Sequence, residues 1–596
     1  MSWEVLTMKS KISFFNSGIF KSMLKRFWPM WTAYFVVWFM SLPLPSLVSK
    51  LLKPDDFAVN MVISRIHMSL DMSLISAALM AVLAAMAVFS FLYNSRSAGM
   101  IASAPVRREA VFCSSFLAGL LPVVAANLLI AVLNALFTSS SVVTVPYIIK
   151  ANAILFAVGS MEYLVFFSLA SLIAMLTANI VALPVLYIIF NFVFVGMEYI
   201  IKTLYGMFVF GFNEHLNSSL EFTSPIIYFN DHIKLSATAD KIVLSGWNTL
   251  IVYCLIGVVL FAVALLLYRK RRMETAGDVI AVKCLKPVFK YCVTACASLC
   301  FGLLFYVIIS SLFSSLSASL LVLTVGLLIG AFIGYFASEM LLKKSLHVFS
   351  GHWKGYIIVA VLCVVFAFAC VTDLLDLSAK LPDADDIQSV TCSADGFGYD
   401  LTERSDIEAM LKVNKAVIAE RDEYMNIDNP YSEDVGFISI SYYLKNGSVV
   451  SRDYLIYKDD NYKAYYAVLA STAVIKSHFT PSIEVTVQNV YEACFEYTTD
   501  TGDGQTIQLT PEQAVDFYRN ALMTDIENGA KKPVAPQSGE MITDTVNRFY
   551  VLIDLVKAPE AGTREETYDN LTIEIDPDCT ECIKWIKANL DVDLTF

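Results

Sequence analysis

Three arginines lie in a short polar stretch, "YNSRSAGMIASAPVRREAVF" (93–112), which separates two long apolar runs. Guanidinium groups bind carboxylates, phosphates and the carbonyl groups at helix C-termini. The segment "SAGMIASAP" predicts a short helix that ends at Pro105, and Arg107 and Arg108 precede the next apolar run. Two hypotheses fit this pattern: a loop whose positive charge only orients the chain, or a docking site for another protein.

Four polar residues lie inside the apolar runs: Asp71, Asn127, Asn134 and Glu162. Such groups are costly in a membrane and usually face a bundle interior or a wet cavity. Asn127 and Asn134 are seven residues apart and therefore share a helix face. The four residues are candidates for a substrate path. The alternative is that they hydrogen-bond between helices, and Glu162 in particular needs a partner or a proton.

Composition divides the chain into two regions. Of its 596 residues, 57% are hydrophobic, which is more than a soluble domain usually carries. Residues 1–372 contain 25 Lys and Arg against 14 Asp and Glu, whereas residues 373–596 contain 18 against 41. We expect a membrane region followed by an acidic domain in water, with no nucleic acid as partner.

Nine stretches are long and apolar enough to form membrane-spanning helices. They are residues 28–49, 67–93, 111–137, 151–176, 180–201, 248–268, 288–313, 318–342 and 355–372. The predicted fold class is therefore a membrane all-α region of about nine transmembrane helices, followed by a soluble α+β domain.

Lysine and arginine predict the orientation of these helices. With the N-terminus inside, the inner segments (1–27, 94–110, 269–290 and 343–354) hold 18 basic residues and the outer loops hold 7. We expect a multi-pass protein of the cell membrane, with a cytoplasmic N-terminus and an extracytoplasmic C-terminal domain.

Residues 1–27 precede the first apolar run and contain Phe15, Ile19, Met23 and Phe27 at a helical spacing. This pattern predicts an amphipathic helix in the inner interface, and a plain basic stretch is the alternative. No signal-peptide pattern occurs here, so the first apolar run is expected to remain as an anchor. Met1 and Met8 both remain candidates for the native start.

The stretch 93–112 resembles the loop after the second crossing in permease subunits of type-two ABC exporters. The matching residues are Tyr93, Ser95, Arg96, Gly99, Ser103, Pro105, Arg108 and Phe112. "SFFNSGIFKSMLKRFWPMW", "LLLYRKRRMETAGDVIAVKCLKPVFKY" and "GYFASEMLLKKSLHVF" extend the resemblance over most of residues 9–372. It is strongest to Gram-positive members with extra helices and an extracytoplasmic tail.

The resemblance implies a six-helix permease-like domain over 28–268 and three added helices over 269–372. It also implies that the loop docks on a separate ATPase, through Ser95, Arg96, Gly99, Ser103, Ala104, Pro105, Arg107 and Arg108. The chain has no G-x-x-x-x-G-K-[ST] phosphate loop of its own. No cofactor is therefore expected here, and ATP and magnesium would bind to the partner.

The implied function is an exporter of an amphipathic substrate, such as a peptide antibiotic or a lipid-like molecule. The permease would pair with itself or with a sister permease. The alternative is a membrane sensor whose tail binds a ligand without transport, and a membrane-embedded enzyme is a third hypothesis.

The long loop over 202–247 mixes aromatic and polar residues, which indicates re-entrant or interfacial helices at its outer position, with an ordinary surface loop as the alternative. Residues 380–596 are expected to form an α+β domain of two repeats, 387–480 and 482–596. Each repeat is predicted as strand–helix–strand–strand–helix. Thr402 and Thr510 are the expected helix caps, and Asn446-Gly447 the expected hairpin turn.

The tail offers little that could do catalysis. Its one histidine is His478, and no Ser-His-Asp or Cys-His grouping follows from spacing. "CTEC" could bind a metal or cycle redox, but no second paired motif completes a zinc site. We therefore predict a non-catalytic chain without a metal site. The disulfide state of the tail cysteines stays open; they are Cys392, Cys494, Cys579 and Cys582.

Overall fold

The computed structural model contains two compact units. The first comprises the described residues up to Ile200 and those from 219 to Val364, and the second comprises 201–213 and the described residues from Val365 onward. The structure describes residues 14–52, 59–103, 105–138, 144–213, 219–237, 242–271, 279–282, 285–309, 316–349, 353–374, 376–394, 397–425, 427, 429, 432, 434–498, 504–533, 549–557, 567–592 and 594.

The first unit is helical. Its helices are α1 (Ser17–Arg26), α2 (Trp28–Ser41), α3 (Pro43–Leu52), α4 (Val59–Val88), α5 (Ser95–Ser103), α6 (Arg108–Thr138), α7 (Val145–Leu176), α8 (Ala182–Phe208), α9 (Pro225–His232), α10 (Trp247–Lys270), α11 (Leu285–Ile309), α12 (Leu316–Lys343) and α13 (Trp353–Val371). Residues 201–208 at the end of α8 and 365–371 at the end of α13 belong to the second unit.

Nine helical segments in the described part of the chain are long and apolar enough to cross a membrane. Each coincides with one of the nine predicted stretches, which confirms that prediction. The first segment, Trp28–Leu51, joins α2 and α3 across Leu42. Pro43 explains the break, because a proline disfavours helical backbone in the residue before it.

The N-terminal helix α1 packs on the bundle. Asn16 accepts a bond from the Ile19 amide and so caps the helix, and the Asn16 amide donates to Ser114 Oγ of α6 (2.7 Å). Met23 is buried. The predicted amphipathic helix is therefore present. Ile19, Met23 and Phe27 of its apolar side pack in the first unit, whereas Phe15 is 43% exposed.

Helices α4, α6, α7 and α10 form the core of the first unit. Small residues permit close packing: a Cβ on Gly119 would lie 2.3 Å from the Phe167 ring. Phe116 fills the neighbouring space and lies 4.8 Å from Phe167 and 4.6 Å from Phe261, centroid to centroid. Contacts between aromatic rings and glycine thus hold these helices together.

Helices α11 and α12 form a tight hairpin. A Cβ on Gly330 would lie 2.5 Å from the Ala297 carbonyl oxygen, and Gly326 and Gly334 also face α11 closely. This is the small-xxx-small spacing that lets apolar helices approach. Ser298 Oγ donates to the Leu327 carbonyl (2.9 Å) across the same interface.

The described part of the long loop contains a 3-10 turn (Glu221–Thr223), one α-helix and a hairpin. Helix α9 is followed by strands β1 (Lys234–Ala237) and β2 (Ile242–Ser245), which pair antiparallel. The expectation of helices in this loop therefore missed the hairpin. Each of its two strands has only four residues, which is too short for an alternating pattern to predict.

The second unit carries two four-stranded antiparallel sheets. Its strands are β3 (Ile387–Ala394), β4 (Phe397–Leu401), β5 (Val435–Leu444), β6 (Val449–Tyr457), β7 (Val490–Thr498), β8 (Gly504–Gln508), β9 (Phe549–Lys557) and β10 (Thr567–Glu574). The strand orders are β4-β3-β5-β6 and β8-β7-β9-β10. The described residues thus comprise a helical region with nine apolar segments of membrane-spanning length, followed by a region with β-sheets.

The helices of this unit are α14 (Arg404–Ala419), α15 (Arg421–Tyr424), α16 (Asp460–Leu469), α17 (Thr472–His478), α18 (Pro511–Asp516), α19 (Met523–Glu527) and α20 (Thr580–Leu590). A π-helical turn, Phe517–Leu522, joins α18 to α19. Each half of the tail therefore has two strands, a helical segment, two more strands and a closing helical segment, which is one strand more than predicted.

Two of the expected local features were correct and two were wrong. Thr510 forms a capping box with Gln513, and Gly447 turns the β5–β6 hairpin at φ +83°. Thr402 does not cap α14, whose N-cap residue is Glu403 without a side-chain bond. The single helix predicted to close the first repeat is two helices, because Ser471 caps α17 after α16 ends.

Residues that follow α8 belong to the second unit. Phe212 forms a bridge with Arg452 of β6, and the Asp453 amide donates to the Gly211 carbonyl (3.2 Å). The Phe210 ring lies 4.9 Å from the Tyr454 ring, centroid to centroid. The loop that leaves α8 is thereby attached to the edge strand of the first sheet.

Candidate functional site: a basic loop and a buried polar cluster

Helix α5 forms within the arginine-containing stretch and presents one exposed face. Arg96, Gly99, Met100 and Ser103 are exposed and lie at i, i+3, i+4 and i+7. Met100 is 70% exposed at the centre of this face. A Cβ on Gly99 would meet no atom within 4 Å, so this glycine is not required for packing within the chain.

The opposite side of α5 holds the helix against the bundle. Ala98 is buried, and Ile101 packs against the core of the first unit. The Asn94 side chain accepts a bond from the Arg96 amide (3.0 Å), which supports the first turn. Ala104 lies outside the described residues, and nothing is described of the Ser95 side chain. The predicted helix before Pro105 is present.

The two arginines after the helix have different surroundings. Arg107 is exposed. Arg108 Nη1 donates to the carbonyl groups of Arg269 (3.1 Å) and Arg271 (3.0 Å), at the C-terminus of α10. Glu109 also pairs with Arg269 at 3.0 Å. Arg108 thus stabilises a helix end within the chain, a role that its sequence pattern did not indicate.

Arg271 has a comparable role one helix away. It is 6% exposed, and its Nη1 donates to the carbonyl groups of Ala174 (2.8 Å) and Met175 (3.2 Å), near the end of α7. The backbone amide of Ala281 donates to the Leu176 carbonyl (2.8 Å). Arginines therefore join the ends of α6, α7 and α10 on the same side as α5. We call this side the basic end.

A buried polar cluster lies deeper among the helices. Ser73 Oγ of α4 donates to Glu162 Oε2 of α7 (2.7 Å), and Glu162 is 2% exposed. Tyr34 Oη of α2 donates to Asn127 Oδ1 of α6 (2.8 Å), and Asn127 Nδ2 lies 3.4 Å from Ser160 Oγ. Glu162 and Asn127 are thus two of three predicted polar residues that form hydrogen bonds between helices.

The third is Asn134, which lies two helical turns after Asn127 in α6. Its Nδ2 donates to Asn152 Oδ1 of α7 (2.8 Å), and its Oδ1 accepts from Ser46 Oγ of α3 (3.0 Å). Asn134 and Asn152 are both buried. Such amide bonds are typical of contacts between membrane helices.

A small cavity adjoins the cluster. Its lining includes Tyr34, Ser73, Asn127 and Gly159, and its volume is about 30 Å³. A cavity of this size is large enough to hold a water molecule. The conformation therefore has room for hydration of the polar groups that line it.

Asp71 is separate from the other three polar residues. It is exposed on α4, among exposed residues of the same face such as Met68, Met72 and Ile75. The predicted set of four thus divides into three residues inside the bundle and one on its surface. One acidic residue does not show which face of its helix points into the bundle, because that depends on which other helices pack against the face.

The tail cysteines and the question of a metal site can be placed on the described residues. No group of three or more His, Cys, Asp or Glu suited to a metal is found within those ranges. Cys392, Cys579 and Cys582 are buried as free thiols, and Cys494 is half-buried. Burial raises the pKa of Cys579 to about 11, which disfavours the reactive thiolate.

Three functional candidates were not found from the sequence: Met100, Tyr34 and Arg271. Methionine and tyrosine are common in apolar segments. Neither residue type indicates a functional role in the sequence unless its neighbours in the fold are known. Arg271 lies in a basic run, "RKRR", that predicts orientation and says nothing about individual partners.

Comparisons with known proteins leave the family open. No family model, no curated protein and no solved structure matches the chain.

Proposed function

We propose that this protein is the membrane-spanning permease subunit of an ATP-driven ABC exporter, powered by a separate ATPase. The exposed face of α5 is the observation that carries the proposal. It combines an arginine, a glycine with open space around it, and an exposed methionine, flanked by Arg107. An apolar centre with a basic rim is typical of a protein docking site.

The proposed placement follows the distribution of charge. The basic end of the first unit lies in the cytoplasm, together with the N-terminus. Nine apolar helices then put the acidic tail outside the cell membrane. The tail's excess of carboxylates supports this side, because the cytoplasmic leaflet is itself anionic.

The buried polar cluster is the proposed location of a step in transport. Glu162, Asn127 and Asn134 come from helices that would have to separate for an amphipathic substrate to pass. Each interhelical bond in a membrane protein contributes about 0.6 kcal/mol, so separation is within reach of ATP-driven motion. The functional unit would contain two permeases, identical or sister chains, and two ATPases.

The test is co-purification of ATP hydrolysis with the tagged, full-length chain. Gly99→Trp fills the exposed face of α5 and leaves its charge unchanged, and Met100→Glu reverses its polarity. Val181, in the α7–α8 connection, is also 70% exposed, so Val181→Trp is the matched control. We expect at least a tenfold loss of bound ATPase in the first two variants, ~1.4 kcal/mol or more, and wild-type yield in the control.

The variants must first show normal membrane levels. If both α5 variants retain the ATPase and its hydrolysis at wild-type level, the loop only orients the chain and the proposal fails. If no ATPase accompanies even the wild-type chain, export by this mechanism is excluded.

A membrane sensor is the second candidate function. The observation in its favour is that residues 209–213, directly after α8, fold with the tail. A ligand that changes the tail would therefore act on the chain that leaves α8. A sensor requires no ATPase, so the same co-purification separates the two functions.

A further inference from the structure

Two cysteines of the tail meet at the first turn of α20. Cys579 is the N-cap residue of this helix, and Cys582 lies three residues later. The Cys579 carbonyl accepts a bond from the Ile583 amide (3.0 Å), so Cys579 closes the first helical turn. Cα atoms three residues apart in such a turn are separated by about 5 Å, which is within the range that a disulfide spans. Side chains at these two positions also approach each other in a capping box. We call Cys579 and Cys582 the α20 pair.

The other two tail cysteines lie elsewhere. Cys392 is on β3 of the first sheet, beside Tyr465. Cys494 is on β7 of the second sheet and is half-buried between the buried Ala493 and Phe495, so its side chain faces away from the core. Both members of the α20 pair are fully buried in that core. Among the tail cysteines, all of which the structure describes, the α20 pair is therefore the one that the fold brings together.

Two carboxylates lie beside the pair. Cys579 Sγ donates to Asp576 Oδ2 (3.8 Å), and Asp576 also pairs with Lys531 (2.5 Å). Asp525 accepts from the Cys582 amide (2.8 Å) and from one further backbone amide. Burial raises the pKa of Cys582, and Asp525 and the Cys579 sulfur raise it further. Each carboxylate keeps other donors if the thiols lose their hydrogens, so oxidation of the pair leaves neither carboxylate without a partner.

We infer that the α20 pair is a disulfide site, at which Cys579 and Cys582 form an S–S bond that closes the first turn of α20. The structure shows the thiol form. In the reaction the two thiols give up two protons and two electrons, and a disulfide oxidant outside the cell accepts them. Its own S–S bond breaks to two thiols as the new bond forms. The inference rests on the proposed placement of the tail outside the membrane, where disulfides persist.

Burial determines when this exchange takes place. Attack on the oxidant requires a thiolate, which the buried pair disfavours once the tail has folded. The bond therefore forms before α20 packs, through Trp585, against the ring of Phe517 (5.2 Å between centroids). The same burial then protects the bond from reductants, so it serves stability and not catalysis.

The test uses the full-length chain in cells. The cells are precipitated with acid, and the chain is dissolved in urea with N-ethylmaleimide so that buried thiols also react. Trypsin cleaves after Arg564 and Lys584 and releases one peptide with both cysteines of the α20 pair and no others. We expect this peptide to carry no maleimide and to accept two labels only after reduction. The peptides of Cys392 and Cys494 should be labelled in the first step.

The side of the tail is measured in parallel, by digestion with a protease added to intact cells. Thiols in a tail that lies outside would overturn the inference and leave the proposed function standing. If the tail lies inside, the proposed placement fails, and the purified chain is incubated with glutathione disulfide. An internal disulfide then supports the pairing, whereas unchanged thiols or glutathione adducts overturn it.

Stability gives a second readout. A reductant should lower the urea midpoint of tail unfolding by roughly 1 M in pulse proteolysis. Cys579→Ala combined with Cys582→Ala should abolish this dependence, and Cys579→Ser replaces the double variant if that does not fold. Cys494→Ser is the matched control and should keep the dependence. A reductant effect that survives loss of the pair would contradict the inference.

Discussion

The two halves of the tail share a topology but bury different polar groups. In both, the first strand contains a register shift near its start, between Ile387 and Ser389 in β3 and between Val490 and Glu492 in β7. Each half has the same strand order, with its first strand between two neighbours. What differs is the chemistry that occupies equivalent places.

The first half is organised around a buried arginine. Arg452 is 5% exposed and donates to the carbonyl groups of Leu377 (3.1 Å) and Lys380 (2.7 Å), in the segment that enters the tail. Its neighbour Asp453 accepts a bond from Asn213 Nδ2 (2.6 Å). The edge strand β6 thus bonds to two segments from other parts of the chain, one that contains Leu377 and Lys380 and one that contains Asn213.

The second half is organised around a lysine and an aspartate. Lys531 Nζ lies 2.5 Å from Asp576 Oδ2 and donates to the Glu574 carbonyl (2.9 Å). Asp525 is buried and accepts from the amides of Glu581 (3.0 Å) and Cys582 (2.8 Å), at the start of α20. These contacts are internal to the half. One topology therefore serves as a connector to outside segments in the first repeat and binds its own helix start in the second, within a hydrophobic core that both halves share.

The largest expected effect is from Arg452→Met. It removes bonds to Leu377 and Lys380 that, for a charged donor, are worth about 1.5–3 kcal/mol each. We expect amides of 377–380 and 449–457 to exchange much faster in hydrogen–deuterium exchange, with β9 unchanged. Arg519→Met is the control, because Arg519 is half-exposed and donates to a single carbonyl, that of Val485. Equal effects of the two variants would contradict the connector role.

Asp525→Ala should act on the second half alone. It removes a helix cap worth about 0.5–2 kcal/mol, and it leaves the amides of Glu581 and Cys582 buried without an acceptor. Exchange should accelerate over 580–590, whereas β5 and β6 should be unaffected. The nearby exposed Glu527→Ala is the control, and protection of α20 at the wild-type level would refute the capping role.

Tyr454→Phe tests the core of the first half at one atom. The Tyr454 hydroxyl donates to Asn414 Oδ1 (2.7 Å), and Asn414 Nδ2 donates to Tyr442 Oη (2.8 Å). Loss of one hydroxyl should cost about 1 kcal/mol, measured by pulse proteolysis of the tail in urea. Tyr443→Phe, at an exposed position of the neighbouring strand β5, should cost nothing measurable; a similar loss there would argue against the network.

The smallest expected effect is a dependence on pH. Burial lowers the pKa of His478 below its ordinary value of 6.5, so the folded tail disfavours the protonated ring. The contribution of the neutral ring to the stability of the folded tail is therefore complete above pH 6.5. It is lost as the pH falls through the lower pKa of the folded state. His478→Gln should flatten the stability of the tail between pH 5 and pH 7 in the same proteolysis assay. A wild-type slope that survives the substitution would assign it to another group.

Local patterns along the chain were enough to predict much of the fold. Runs of about 20 apolar residues are decided by composition, because helices satisfy their own backbone groups wherever lipid surrounds them. The Thr510 cap with Pro511 and the Asn446-Gly447 turn are also local, since their bonds join residues a few positions apart. The short helix before Pro105 was predicted for the same reason.

Contacts between distant residues could not be predicted in this way. Arg108 bonds to carbonyl groups 161 and 163 residues away, and Asn213 bonds to Asp453 across 240 residues. The short strands β4 and β8 pair only because a longer neighbour presents unpaired backbone groups, so their own residues signal little. Which face of α4 carries Asp71 likewise depends on the helices that pack against the opposite side.

The sequence by itself therefore determined the apolar helices, the charge that distinguishes their ends, the Thr510 cap and the Asn446-Gly447 turn. Only the tertiary structure decided which polar groups meet, and that Arg108 binds a helix end while Arg96 stays exposed. The physical reason is range: hydropathy and capping are summed over neighbouring residues, whereas burial and hydrogen-bond partners arise between helices and strands far apart in the chain.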